Sequence, residues 1–101
     1  MKERKKREMR RKEEEGKEVK EYVEQLDSED AGVRAQAART LGRYAYEGVV
    51  DVSALPKLVK MLENPNEDIL ISSCLGLYGY AKRGVVDVSA LPKLVKMLEN
   101  P

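Results

Sequence analysis

Residue types that carry much of enzyme chemistry are scarce or missing. The sequence has no histidine and no tryptophan, and Cys74 is its only cysteine. The lack of histidine excludes a Ser-His-Asp triad and a Cys/His zinc site, and a single thiol cannot form an internal disulfide. Because glycine-rich phosphate loops, paired catalytic carboxylates and metal-ligand clusters are missing as well, we expect no enzyme activity and no cofactor.

Long apolar runs are also absent, which bears on where the protein is found. No apolar run approaches the roughly 20 residues of a membrane span, and the charged N-terminus is followed by no apolar segment that would make a secretory signal. A lone thiol without a partner fits a reducing compartment. We therefore expect an intracellular, cytoplasmic protein with no membrane partner.

What is present is a charge-rich chain that can still build a core. Apolar residues make up 42% and charged residues 37% of the 101 residues. The 19 basic and 18 acidic side chains leave a formal net charge of only +1. That balance argues against a globally basic nucleic-acid binder, although a local basic patch remains open.

The chain repeats itself with a period of 36 residues. The segment GVVDVSALPKLVKMLENP occurs at residues 48–65 and again, without a change, at residues 84–101. Weaker matches at the same offset extend backwards, such as Tyr44 with Tyr80. Such a period indicates stacked supersecondary units that cannot bury their apolar faces alone. We divide the chain into a charged extension, a degenerate repeat, a full repeat and a half repeat, at residues 1–16, 17–47, 48–83 and 84–101.

Apolar residues inside each unit follow helical spacing. Leu55, Leu58, Val59 and Leu62 fit the i, i+3, i+4, i+7 pattern of one helix face. Capping residues set the expected ends: Ser28 and Asn64 suit N-caps, and Gly48 and Gly84 suit C-terminal caps. We predict an all-α fold, a short α-solenoid of stacked helical repeats behind a charged helical extension. The expected helices cover residues 17–27, 29–46, 53–63, 65–82 and 89–99.

Residues 53–84, SALPKLVKMLENPNEDILISSCLGLYGYAKRG, resemble the second and third helices of an armadillo repeat. The shared features are the small-Leu-Pro opening, the Leu-Val pattern, the Asn-Pro-Asn-Glu cap and a small, apolar third helix. HEAT repeats are the close second choice, and the unit of 36 residues is shorter than the usual 40–47 of this group. The resemblance implies a non-enzymatic scaffold that binds a protein or a peptide.

The residues with which the best-known armadillo proteins bind peptides are not found at the matching positions of this sequence. Those proteins hold extended peptides with a Trp and an Asn one turn apart, whereas the matching positions here are Arg39 with Arg43 and Leu75 with Gly79. The resemblance still assigns this helix to the binding surface, and the first copy has outward positions at Arg39, Arg43 and Tyr46. The candidate binding face comprises Arg39, Arg43, Tyr46, Ile71, Leu75, Tyr78 and Lys82.

Several other residues invite a functional reading, but packing explains them better. For Leu70 and Ile71 we favour packing between repeats over an interface role. Asp51 and its repeat Asp87 suit helix entry better than acid catalysis. Packing in the core is the preferred role of Cys74, Tyr44, Tyr80, Met61 and Met97.

The N-terminal stretch forms a basic arm followed by three glutamates. Residues 1–15 carry a net charge of +3 and the remaining residues a net charge of −2. We favour a solvated, charged helical extension, with nuclear import or nucleic-acid contact and an intramolecular autoinhibitory role as alternatives. No aromatic residue is interleaved to stack on single-stranded nucleic acid. The basic residues are Lys2, Arg4, Lys5, Lys6, Arg7, Arg10, Arg11 and Lys12.

The last 18 residues repeat an apolar helix and a cap. Asn100 and Pro101 reproduce Asn64 and Pro65, so the final helix lacks the following helix of the earlier unit. We expect self-association at this end, or a chain that is part of a longer array. Two further function hypotheses stay open: an engineered repeat protein without a native partner, and a nucleic-acid-associated adaptor. The candidate self-association residues are Leu91, Leu94, Val95 and Leu98.

Overall fold

The computed structural model describes the backbone of residues 2–87 and 90–99. Side chains are described for residues 14–87 and, in the last helix, for Ala90, Pro92, Lys93, Val95 and Lys96. Over these residues the chain is helical without strands, which confirms the all-α prediction. The five helices are α1 (Lys2–Gln25), α2 (Ala31–Tyr46), α3 (Ala54–Met61), α4 (Glu67–Lys82) and α5 (Ala90–Glu99).

Helix α1 begins well before the helix expected at residues 17–27. It runs without a break through Gly16, so the charged arm and the first repeat helix share one backbone element. Its C-terminal half presents a buried stripe of Val19, Val23 and Leu26, spaced i, i+4 and i+7. The side chains of residues 2–12, which include the whole basic arm, lie outside the described part.

The N-caps of α2 and α4 lie two residues later than the sequence suggested. Asp30 caps α2, with its Oδ1 accepting from the backbone N–H of Gly32 at 2.8 Å. Asn66, at the equivalent repeat position, caps α4 in the same way. The predicted caps instead support the true ones, because Ser28 Oγ accepts from the Asp30 N–H at 3.2 Å and Asn64 Oδ1 from the Asn66 N–H at 2.9 Å.

The predicted glycine caps at the C-terminal ends are confirmed. Gly48 has a φ of +104° and Gly84 a φ of +75°, a region that favours glycine. Behind each glycine, the next N–H reaches back to a tyrosine carbonyl: Val49 donates to Tyr44 at 2.8 Å. These bonds form a Schellman motif, which stops the helix and turns the chain toward the next one.

The core lies between the first helix of each pair and the second helices α2 and α4. Met61 is buried in it, as predicted, and so is Tyr80, which is fully buried. Asp51 acts as a helix-entry residue, since its carboxylate accepts from the Ser53 N–H at 2.9 Å just ahead of α3. The largest fully buried side chains include Tyr80, Leu41, Leu58, Ile69 and Val19.

Helices α2 and α4 pack against each other through their smallest residues. A Cβ added to Gly76 would lie 2.8 Å from the carbonyl oxygen of Ala38, and one added to Gly42 would lie 2.7 Å from the Gly76 Cα. Further along both helices, Gly79 lies against the backbone of Gly42, so the contacts ascend together and the two helices run in the same direction. This backbone-to-backbone seam holds the two repeats together and fixes what each helix leaves exposed.

Candidate protein-binding site

Three large apolar side chains form an exposed stripe on α4. Ile71, Leu75 and Tyr78 are 55%, 51% and 56% exposed. Their i, i+4, i+7 spacing places them on one face of the helix. The core role favoured for Ile71 is therefore wrong, because the α2–α4 seam runs along another face of α4. Leu70, beside it, is half-buried.

Helix α2 contributes a parallel stripe of mostly cationic character. Arg39, Arg43 and Tyr46 are exposed, as the candidate face requires. Arg39 Nη2 lies 2.7 Å from Asp68 Oδ1 on α4, so its charge is neutralised in place. We call the two stripes together the ridge, which comprises Arg39, Arg43, Tyr46, Ile71, Leu75, Tyr78 and Lys82.

Two cations of the ridge lie close to aromatic rings. Lys82 Nζ is 5.4 Å from the centroid of the Tyr78 ring, and Arg43 Cζ is 5.7 Å from that of Tyr44. Both distances fall within the range of a cation–π interaction. The ridge therefore combines an apolar strip with positive charge at its margins.

Gly79 does not lie on the ridge, although its repeat position matches the exposed Arg43. It is buried in the seam against Gly42. Repeat equivalence alone would place Gly79 outward with Arg43. The difference is that α4 packs against α2 on that side, whereas within the described residues no helix covers Arg43. Glycines inside an otherwise helical pattern were the available signal for close helix approach.

A second concave feature, the end groove, lies between α4 and α5. It has a volume of about 420 Å³. Burial raises the pKa of the Cys74 thiol at its wall, which makes the thiol less reactive than an exposed one. Packing thus remains the better account of this cysteine. The lining residues are Cys74, Leu77, Tyr78, Ala81, Val85, Val86, Asp87 and Ala90.

The end groove was not predicted from the sequence. Its walls include the loop after α4, where Val85 and Val86 repeat Val49 and Val50, which are half-buried against the core in the preceding repeat. The signal in the sequence was the unchanged GVVDVSA segment. Its first copy packs against the core, whereas in the second copy Val86 is exposed.

Identical sequences in α3 and α5 have different surroundings. Val59 is 4% exposed, whereas Val95, its copy, is 50% exposed. Of the candidate self-association residues, Val95 is thus on the surface. The side chains of Leu91, Leu94 and Leu98, and that of Met97, lie outside the described part.

Ion pairs at repeated positions join the first helix of one repeat to the turn that follows the first helix of the preceding repeat. Lys57 pairs with Asp27, and Lys93 Nζ lies 2.9 Å from Glu63 Oε1. The hydrogen bond from Lys93, with its charge, lowers the pKa of the Glu63 carboxyl. Because these pairs are exposed, they fix the alignment of the repeats more than they stabilise it.

Two tyrosines anchor the fold through their hydroxyl groups. Tyr44 donates to Glu18 Oε2 at 2.6 Å, and this bond, with burial and the carboxylate charge, raises its pKa to about 12. Tyr80 donates to the carbonyl oxygen of Asp51 at 2.8 Å, and burial raises its pKa to about 12. Both tyrosines therefore pack and hold neutral phenols, as the packing assignment predicted.

Two other kinds of feature are missing from the described residues. Among them, no group of three or more His, Cys, Asp or Glu side chains could hold a metal ion. No helix of that part is long and apolar enough to cross a membrane.

The paired helices, the small-residue seam and the repeated ion pairs define a class: this is a helical-repeat solenoid. A family model for HEAT repeats matches residues 19–101, and the chain belongs to the HEAT repeat family. Of the two related repeat types that the sequence resembled, the match is thus to the HEAT type. Comparison with curated proteins and with solved structures found no match.

Proposed function

We propose that this chain is a non-enzymatic scaffold that binds a protein or peptide through the ridge. The observation that carries the proposal is the exposed stripe of Ile71, Leu75 and Tyr78, three large apolar side chains more than half exposed on one helix face. Clustered exposed apolar side chains mark interaction surfaces more often than isolated ones do. HEAT repeats are generally protein-interaction scaffolds, which supports the same reading.

The charges around the stripe indicate the chemistry of the partner. Arg43 and Lys82 carry positive charge at its margins, whereas the Arg39 charge is already matched by Asp68. A segment with apolar side chains flanked by carboxylates would bury its apolar groups on Leu75 and place its charges near the two cations. We therefore propose an apolar, acidic helix or extended segment as the partner.

Peptide selection against the immobilised full chain tests this proposal. We expect displayed random peptides to be enriched in apolar residues with acidic flanks, and Leu75→Glu to weaken binding of the selected peptides at least tenfold. Val52→Glu is the matched control, because Val52 is 62% exposed and lies outside the ridge. Circular dichroism checks that both variants fold. An equal loss of peptide affinity in the two variants, or selection of basic peptides, would contradict the proposal that the ridge binds the partner.

Self-association is a second candidate function, and one observation favours it. Val95 is half exposed although its exact repeat, Val59, is buried by the following helix. A further helical layer, from a second copy or from a longer array, would cover Val95 as Val59 is covered. Among the remaining alternatives, nucleic-acid or nuclear-import roles of the basic arm and an engineered origin stay predictions, as does the division of the chain at residue 16.

A further inference from the structure

A groove of about 410 Å³ lies between the turn that follows α1 and the turn that follows α3. We call it the turn groove. Its two walls belong to neighbouring repeats, so it is enclosed by two described layers of the solenoid. Leu26 and Met61, both buried, give it an apolar base. Its volume falls within the range of about 300–1,000 Å³ that ligand sites usually have.

The two carboxylates on the walls of the turn groove already have cationic partners. Asp27 pairs with Lys57, whose Nζ also lies 3.5 Å from the Val23 carbonyl oxygen. Glu63 Oε1 accepts from Lys93 Nζ at 2.9 Å. These carboxylates are therefore not the partners of the remaining cations of the groove.

Arg34 brings a half-buried guanidinium to the groove and has no carboxylate partner among the described residues. Its Nη1 donates to the main-chain carbonyl oxygens of Ser28 at 2.8 Å and Glu29 at 3.4 Å. These bonds hold the guanidinium in place, while Nη2 and Nε bond to no described residue. Helix packing does not require the cation, because Leu70 occupies the equivalent position of α4.

Two further donor groups line the turn groove. Asn64 Oδ1 accepts from the Asn66 N–H at 2.9 Å, and this bond fixes the orientation of the Asn64 amide. The NH₂ group of that amide has no acceptor within the described part of the chain. Lys60 is exposed and forms no ion pair there, although its charge is one cause of the lowered pKa of Glu63. The groove thus offers a guanidinium, an amide and an ammonium group as donors.

We propose that the turn groove binds a carboxylate carried on a small apolar group, as at the C-terminus of a peptide or on a small organic acid. The carboxylate accepts hydrogen bonds from Arg34 and Asn64, since a guanidinium matches a carboxylate with two parallel N–H groups. The apolar group packs on Leu26 and Met61. The wall carboxylates repel a dianion such as phosphate more than a monoanion. This inference goes beyond the ridge proposal, because no ridge residue lines the turn groove.

Titration of the isotope-labelled full chain with the dipeptide acetyl-Ala-Leu, followed by NMR, tests the proposal. We expect saturable shifts of the amide signals of Leu26, Met61 and Asn64. The same dipeptide with a C-terminal amide should bind at least about tenfold more weakly, because it has lost the charged acceptor. Isocaproate distinguishes the two sources. An affinity equal to that of the dipeptide supports a small organic acid as the ligand, and a weaker one supports a peptide C-terminus.

A pair of charge variants locates the site. Asn64→Asp keeps an oxygen for the Asn66 N–H but replaces the amide donors by a negative charge, so it should weaken dipeptide binding at least about tenfold. Asn66→Asp is the matched control, because it makes the same change of charge outside the groove. It should fold, since Asp30 caps α2 at the equivalent repeat position. We expect it to leave the affinity unchanged.

Two variants of Arg34 test the guanidinium. Arg34→Leu introduces the residue that α4 has at the equivalent position, Leu70, and should weaken binding at least about tenfold. Arg34→Lys keeps the charge without the two parallel N–H groups and should weaken it about three- to tenfold. Thermal melting checks that every variant folds.

Three results would overturn the proposal. One is equal affinity for the dipeptide acid and its amide, and another is an equal effect of Asn64→Asp and Asn66→Asp. The third is sulfate that shifts the same amide signals at as low a concentration, because binding would then follow charge alone. Leu75→Glu in the ridge should leave dipeptide binding unchanged, so a failure of the ridge proposal is seen separately from a failure of this one.

Discussion

Gly79 lies so close to Gly42 that a Cβ placed on it would stand 1.9 Å from the Gly42 carbonyl oxygen. Non-bonded carbon and oxygen atoms cannot approach to that distance. The obstacle is a backbone atom, which cannot move aside as a flexible side chain can. The two repeats thus touch where neither helix carries a side chain, and the distance between the helices depends on these glycines.

Gly79→Ala should lower the free energy of unfolding by about 1–3 kcal/mol, because the seam must open to admit the methyl group. The gain in helix propensity offsets only part of that cost. Gly16→Ala is the control, since a Cβ there has no neighbour within 4 Å, and it should stabilise α1 by about 0.5–1 kcal/mol. Urea denaturation followed by circular dichroism measures both. A neutral Gly79→Ala would show that α2 and α4 are not in backbone contact.

Ser72→Ala should stabilise the protein by about 1 kcal/mol. The Ser72 hydroxyl is buried and, in the structure, has no hydrogen-bond partner, so its removal relieves a desolvation cost. Ser73→Ala, next to it, should instead cost about 1 kcal/mol, because Ser73 Oγ donates to the Ile69 carbonyl oxygen at 2.8 Å. Thermal melting of the two variants measures both changes in stability. Stabilisation by both substitutions, or destabilisation by both, would refute the prediction.

Alkaline pH should destabilise the fold in a defined window. Tyr44 and Tyr80 have pKa values raised to about 12 from the usual 10.0, so folding keeps both phenols neutral where the unfolded chain ionises them. The free energy of unfolding should be at its full value below about pH 10 and fall as the pH rises toward about 12. Denaturation at several pH values measures this, and absorbance should show Tyr44 and Tyr80 ionising above the usual pKa of 10.0. Tyr80→Phe should remove the Tyr80 share of the pH dependence, and an unchanged profile would contradict the assignment.

Val95→Glu should weaken self-association at least tenfold while leaving the monomer folded. The side chain is half exposed, so a carboxylate there stays in water in the monomer but is buried if a second layer covers it. Val59→Glu is the matched contrast, because it introduces the same change in the same local sequence at a buried position and should unfold the protein. Sedimentation at increasing protein concentration is the measurement. If the unmodified chain stays monomeric throughout, self-association at this end is wrong.

Much of the fold could be predicted because it depends on local periodicity. The helix expected at residues 53–63 corresponds to α3, Ala54–Met61, and Gly48 and Gly84 end their helices as glycine caps do. The start of α4 was placed early because both Asn64 and Asn66 can cap a helix. Which of the two caps α4 depends on the backbone conformation between them, and the structure shows that Asn66 is the cap.

The candidate site was harder to predict, because exposure depends on what lies beside each helix. Ile71 is a large apolar residue of the kind usually found in a core. It is exposed because the contact between α2 and α4 is narrow and runs along another face of α4. Gly79 and Arg43 hold the same repeat position but face different neighbours. An alignment of repeats compares positions within a unit, whereas burial depends on the adjoining unit.

The seam also has a mechanical consequence. Ordinary helix pairs interlock through ridges and grooves, which resist rotation of one helix against the other. Two smooth helices that meet at Gly42 and Gly79 offer little of this resistance. Torsional stiffness then comes from the buried core around Tyr80 and from surface bonds, which include the Arg39–Asp68 ion pair and the bonds of Arg83 Nε and Nη2 to the Tyr46 carbonyl oxygen, at 2.9 and 2.6 Å. Salt screens exposed charges, so we expect the contact between the two repeats to become more compliant as ionic strength rises.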